Sequence, residues 1–360
     1  MTVLKNLNYK GEIIDITVRD GKILEVGKTD KEGIDMSGLK VHPGLIDTHI
    51  HGALGHDASD PESSIEAISE YELAHGITTW YPTTVAVDKE ELVRLVNQDI
   101  SAIGGANIPG FHMEGPFINK AKKGAINDEY IIPSSRELFD RFNASGQVKR
   151  MTVAPETEGA LDFIESCPAV ISLGHTTADY DTVKEAFARG ASSLTHTFNV
   201  MPGIHHREPG PIGAGFDTEG AFAELISDGV HIHPSAVRML IKLYGADRIV
   251  LVSDSVRATG LSDGEYDLGG VPTVVKDGVA RTLGGNLAGS TTNLFDCVRC
   301  AISFGIPEED AVKMASETPA RMMGLNKGKI ECGYDADLII VDEDFTLKFV
   351  VKGGDIIARS

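Results

Sequence analysis

Eight short apolar runs, near residues 44–49, 77–81, 108–113, 150–154, 169–173, 191–195, 222–226 and 249–253, set the rhythm of the middle of the chain. Segments of helical periodicity lie between most of them, at 63–75, 89–103, 135–145, 180–189 and 234–244. A strand covered on both faces reads as a continuous apolar run, and a parallel neighbour needs a long crossover, usually a helix. Eight strands, each followed by a helix, therefore predict an α/β fold of the (β/α)8 barrel type. A doubly wound open sheet is the alternative, but no GxGxxG opens a helix after the first run.

The two ends of the chain are different in character. Residues 12–18 and 22–26 alternate polar and apolar about Asp20-Gly21, a hairpin signal, and 336–341 and 346–351 repeat the style before Gly353-Gly354. These segments predict a small β-sandwich domain assembled from residues 1–42 and 333–360, flanking a barrel domain of residues 43–332. One insertion interrupts the barrel rhythm: 264–285 is glycine-rich and β-like, and a helix resumes only near Thr291.

Composition narrows the partners. A formal charge of −20 argues against nucleic acid and anionic membranes, which reward clustered positive charge. It leaves a small anionic ligand open, because charges are screened over about 10 Å. Cys297 and Cys300 form one CxxC within LFDCVRCAIS, a helical pattern, and read as buried helix thiols in preference to a redox or zinc site. The first residues lack the apolar core of a signal peptide, and no run approaches the roughly 18 apolar residues of a membrane span. A cytoplasmic protein is expected.

In a barrel of this type the chemistry sits at the C-terminal ends of the strands. The first run ends in His49 and His51, the third in His112 and Glu114, the fifth in His175 and the sixth in His196. The segment after the seventh carries His231, and the eighth ends in Asp254. Residues i and i+2 of a strand share a face, so His49 and His51 can point together into the barrel mouth. Imidazole and carboxylate donors suit zinc, iron, manganese or cobalt, whereas calcium or magnesium would ask for oxygen alone. A divalent metal lowers the pKa of water toward about 7, and Asp254 is a candidate to take the proton and return it to a leaving group.

Each of these residues also has a structural reading as a hydrogen-bonded core histidine or a turn-capping carboxylate. Their coincidence at strand ends favours the metal. His42, His56 and His75 fall elsewhere and receive no role. In HHREPG, Arg207 lies in a Gly/Pro loop after the sixth run, either as a phosphate or carboxylate ligand or as a surface arginine paired with Glu208. The loop GGNLAGS, residues 284–290, precedes a helix and could offer backbone N–H groups to a ligand.

The stretches PGLIDTHIHG, HMEGPFIN, SLGHTTADYD, LTHTFNVMPGIHHREPG, DGVHIHP and LAGS together resemble the amidohydrolase superfamily and, within it, the N-acetylglucosamine-6-phosphate deacetylases. The resemblance spans nearly the whole chain. It implies hydrolysis of the acetamide of N-acetyl-D-glucosamine 6-phosphate to D-glucosamine 6-phosphate and acetate, in amino-sugar catabolism or cell-wall sugar recycling. The alternative is deacetylation of a different, possibly unphosphorylated, N-acetylated sugar.

By the same resemblance Glu114, His175 and His196 are the principal metal ligands, Asp254 is the acid/base, and His231 polarises the acetamide carbonyl. Asn199, Val200, His206, Arg207, Ala125 and Leu287 are implied substrate-binding positions, with Arg207 offered by the second subunit of a homodimer. Because His49 and His51 are kept, two divalent ions are expected per chain, bridged by Glu114 with Asp254 as a further ligand. The fourth run ends in MTVAPE without the bridging lysine of hydantoinase-like relatives. One departure stands out: Ile126 occupies a position where a polar sugar contact is expected, with Asn127 beside it as a possible substitute.

Overall fold

The structure is a computed structural model that describes residues 1–60 and 62–357; residues 358–360 of the expected terminal domain lie outside the described residues. Eight strands, Leu45–Ile50, Ile77–Thr84, Phe111–Glu114, Val148–Val153, Val170–Leu173, Ser193–Leu194, Phe222–Ile226 and Ile249–Val252, follow one another in a single sheet. Every neighbouring pair is parallel. Each strand falls on one of the eight apolar runs, and the sheet curls into the expected barrel.

The ring closes differently from the rest of the sheet. Between the first and eighth strands the bonds are few: Asp254 N donates to His49 O at 3.0 Å and His51 N donates to Ser255 O at 2.8 Å. The buried carboxylate of Asp47 supplies what a ladder would, accepting from His49 N and from Ser253 N, each at 3.1 Å. Both donors adjoin or belong to residues of the predicted site, so this side chain joins the backbone bonds in closing the barrel beside its mouth.

The expected helices occur as Glu62–Ala74, Lys89–Val96, Arg136–Phe142, Tyr180–Ala188 and Pro234–Tyr244. The second stops well short of residue 103. Asn97 ends it by turning its amide to Val93 O at 2.7 Å and to Phe142 O at 2.8 Å, while its Oδ1 accepts from Ser145 N at 2.6 Å. Ala160–Ser166, too short to show a clear period, follows the fourth strand. Cys297 lies buried in the helix Leu294–Ser303, where burial pushes its thiol pKa up.

The chain ends meet in a second sheet. Leu338–Val341 pairs antiparallel with Lys40–Pro43, and that strand joins Thr2–Tyr9, Glu12–Arg19 and Lys22–Val26. This sheet buries its own apolar cluster, which includes Leu4, Ile16, Val41 and Ile340. The insertion after the eighth strand forms an antiparallel sheet, Gly264–Leu268, Val271–Lys276 and Val279–Thr282. Its Leu268, Val275 and Ala280 pack with Val85, Ile126 and Val256 beside the barrel mouth.

Beneath the mouth the barrel interior is polar. Arg150, fully buried, pairs with the equally buried Glu224 and donates to Ser172 Oγ at 3.0 Å and Thr48 O at 3.2 Å. His112 bridges Thr83 Oγ1 at 3.2 Å and Thr152 Oγ1 at 2.9 Å, so it is a spacer between strands. No helix among the described residues is long and apolar enough to cross a membrane.

Removing the seam carboxylate should be costly. Asp47→Ala strands two buried N–H groups, at about 1–3 kcal/mol each, and the expected loss in urea unfolding is roughly 2–6 kcal/mol. A loss below about 1 kcal/mol would show that closure does not depend on Asp47.

Candidate metal centre

Among the described residues two groups of three buried donors converge at the barrel mouth: His49, His51 and Asp254, and Glu114, His175 and His196. Glu114 joins them. Its Oε1 lies 3.1 Å from His175 Nε2, 3.0 Å from His196 Nε2 and 3.4 Å from His49 Nε2, and its Oε2 lies 3.4 Å from His51 Nε2. Asp254 Oδ1 stands 3.2 Å from His51 Nε2 and 3.5 Å from His49 Nε2.

The backbone is bent to bring these side chains in. His175, His196 and Asp254 adopt φ values of 48°, 27° and 51°. Non-glycine residues in that region cost about 1–3 kcal/mol each and persist only when their surroundings hold them. For Asp254 the holder is the GGNLAGS loop: Ser290 N donates to Asp254 O at 2.7 Å, and Ser290 Oγ donates to Ser253 O at 2.6 Å. A Cβ on Gly289 would stand 2.7 Å from Asp254 O and 2.5 Å from Val256 Cγ1, so only glycine permits the approach. That loop braces the site's backbone, a role its composition alone did not suggest.

The donor chemistry fits a divalent metal. His51 Nδ1 faces Thr83 O at 3.0 Å and His175 Nδ1 faces Lys122 O at 2.8 Å. A ring nitrogen against a carbonyl carries the proton, so each Nε2 presents a lone pair inward. His49 repeats the pattern with Nδ1 3.3 Å from Glu224 Oε2, and its buried Nε2 has no hydrogen-bond partner. His175 Nε2 and His196 Nε2 stand 3.1 Å apart. Lone pairs aimed at carboxylate oxygens and at each other repel unless a cation lies between them.

The electrostatics mark the same demand for positive charge between these groups. Burial disfavours charge on His51, yet its hydrogen bonds with Asp254 and Glu114 outweigh burial and push its pKa up to about 9. Burial likewise opposes ionisation of Glu114 and Asp254, but the surrounding histidines hold both carboxyls below their usual range. Outside the two clusters, His231 Nδ1–H donates to Asp228 Oδ2 at 2.7 Å, which lifts the imidazole pKa against the effect of burial.

Above the donors opens a cavity of about 480 Å³ lined by His231, Asn199, Val200, Ala125 and Leu287, as well as by His51, Glu114, His175, His196 and Asp254. Ile126 forms part of its wall, and Lys120, Lys122 and Lys123 its rim. Asn127 does not line it; its side chain caps the following turn by accepting from Glu129 N at 3.1 Å. His206 and Arg207 are exposed on their loop, with Arg207 Nη1 2.6 Å from His206 Nε2, and neither lines this chain's cavity. Glu156, at the fourth strand end, is engaged with Thr177 N at 2.6 Å and Asn119 Nδ2 at 2.8 Å. The rim lysines and the Arg150–Glu224 pair were missed in the sequence. The NKAKKG run was a visible signal for the first, and charges inside two barrel runs for the second.

Known proteins resemble this chain in sequence and in fold. N-acetylglucosamine-6-phosphate deacetylase of Vibrio furnissii is 37% identical over 91% of this chain and 85% of its own length. N-acetylgalactosamine-6-phosphate deacetylase of Escherichia coli O157:H7 is 33% identical over 91% and 90%. The crystal structure of N-acetyl-D-glucosamine-6-phosphate deacetylase from Mycobacterium smegmatis superposes with a TM-score of 0.94 at 31% identity, over 99% of this chain and 100% of that one. The amidohydrolase family model matches residues 41–357, and with these relatives it shows that the chain belongs to the amidohydrolase family.

Proposed function

We propose that the chain hydrolyses the acetamide of N-acetyl-D-glucosamine 6-phosphate to D-glucosamine 6-phosphate and acetate, as a cytoplasmic homodimer holding two divalent ions per chain. The observation that carries this reading is the pair of donor clusters joined by Glu114 at the floor of a cavity rimmed by lysines. The name shared by most of the similar proteins supports the substrate. The galactosamine-type relative supports a second reading, the C4-epimeric amino-sugar phosphate.

His49, His51 and Asp254 would hold one ion and Glu114, His175 and His196 the other, with zinc, iron, manganese or cobalt suited to the donors. When bound, such an ion supplies Lewis acidity and acidifies water to a pKa of about 7. Asp254, which accepts no proton from its own surroundings once His49 and His51 are neutral, takes a proton from the attacking water as the C–O bond forms. It returns that proton to the amide nitrogen as the C–N bond breaks, leaving acetate and a free amine. His231, held at Nδ1 by Asp228, has Nε2 free to donate to the carbonyl oxygen once the ring is protonated, and the raised pKa favours that form.

The 6-phosphate needs cations. Lys120 and Lys122 offer them from the same chain, and the exposed Arg207, away from its own cavity, suits delivery to a second copy. The wall at Ile126 offers no hydrogen bond to a sugar hydroxyl, so recognition there is by shape.

Three outcomes are expected. Protein purified without chelator should contain about two equivalents of metal and release acetate from the phosphorylated sugar, losing both on chelation and regaining both on reconstitution. Absence of metal and of activity after reconstitution would end the proposal. Asp254→Asn should lower turnover by roughly a hundredfold or more while the ion at Glu114, His175 and His196 is retained; near-normal turnover would remove Asp254 from the proton path. Arg207→Ala should raise KM roughly tenfold or more, the scale of a lost charge-assisted hydrogen bond, with kcat little changed. An unchanged KM would leave the phosphate to the lysine rim.

A further inference from the structure

Glu224 sits in the middle of the seventh strand, Phe222–Ile226, where the neighbouring positions are apolar and the side chain is completely buried. Its two oxygens face different partners. Oε1 pairs with Arg150 Nη1, while Oε2 lies 3.3 Å from His49 Nδ1 and accepts from His196 N at 3.0 Å. Its backbone O accepts from Thr197 N at 2.9 Å. A counter-ion for Arg150 alone would use one oxygen; the second reaches one residue from each donor cluster.

We infer that Glu224 is a positioning residue for the metal centre: through Oε2 it orients the His49 ring, so the ion position of His49, His51 and Asp254 is supported down to Arg150. This rests on the metal-centre reading of the site. With Nδ1–H directed at Glu224, the His49 lone pair can only point up through Nε2, toward Asp254 and Glu114. The other histidines of the centre lean on less committed partners: His51 and His175 donate to backbone carbonyls, and His196 Nδ1 is buried without a partner. Of these four rings only that of His49 has a carboxylate at its outer nitrogen. Arg150 pairs with the other oxygen of the same carboxylate and holds it in place. Outer partners of this kind typically change metal affinity by roughly 10- to 100-fold.

Losing Glu224 alone would strand Arg150, so the pair is replaced together, an exchange that buried ion pairs often tolerate. Arg150→Met/Glu224→Gln keeps an acceptor oxygen without charge, and Arg150→Met/Glu224→Leu removes it. Full-length wild type and both variants are titrated with Co(II), reading bound equivalents and the visible d–d band, with thermal melting as the folding control. The expected result is two ions on wild type. The Leu variant should keep one ion at wild-type affinity and bind the other roughly 10- to 100-fold more weakly. The Gln variant should fall between. Folded variants that bind both ions as wild type does would overturn the proposal and leave Glu224 a counter-ion for Arg150. Should the Leu variant not fold, the Gln variant decides by the same criterion. A wild type that takes up fewer than two ions would instead overturn the metal reading beneath it.

Discussion

Glu114, Asp254 and Glu224 are carboxylates buried at or beneath the barrel mouth, and the interior is arranged around balancing their charge. From below, Arg150 neutralises Glu224 at a position with no access to water. From above, four imidazoles gather around Glu114 and Asp254, and those of His49, His51 and His175 have their lone pairs turned inward by the groups that hold their outer nitrogens. Buried charge without a partner is among the most expensive features a fold can carry. The lower half of the barrel meets that cost with a fixed arginine, and the upper half meets it with a centre suited to divalent cations.

The scaffold is stiff where the site needs it to be. Asp47 ties the first and eighth strands beside His49 and Asp254, and the loop at Gly289 and Ser290 clamps the backbone of Asp254 in a strained conformation. The small insertion sheet covers one side of the mouth with Leu268 and contributes to the same apolar cluster as Ile126. Charged chemistry thus sits on a rigid floor, while the cavity's specificity wall comes from insertions and loops whose packing is apolar. The rim lysines on the loop after the third strand put positive charge at the entrance of a protein whose net charge is −20.

Much of this was legible in the chain. The eight apolar runs overlap the eight strands, with ends that differ by up to about three residues, because a strand covered on both faces has little choice of composition. The donors at strand ends were legible for the same reason: once the strand ends are known, His49, Glu114, His175, His196 and Asp254 fall on one rim. Helix ends were less so. The second helix ends at Asn97 because of bonds to residues 142 and 145, and no local pattern announces a partner that distant. Arg150 and Glu224 were passed over because a charge inside an apolar run cannot be told from a surface residue until its partner, 74 positions away, is seen beside it.

By itself, the sequence determined the strand–helix alternation and the histidines and carboxylates that fall at the strand ends, since these depend on periodicity and residue type over a few positions. Only the tertiary structure decided how those donors group around Glu114 and which nitrogen of each histidine faces inward. It alone showed that Arg207 lies away from its own cavity and that the floor of the site reaches down to Arg150. Those properties depend on distances between residues from different strands, and such distances come into being only when the barrel closes.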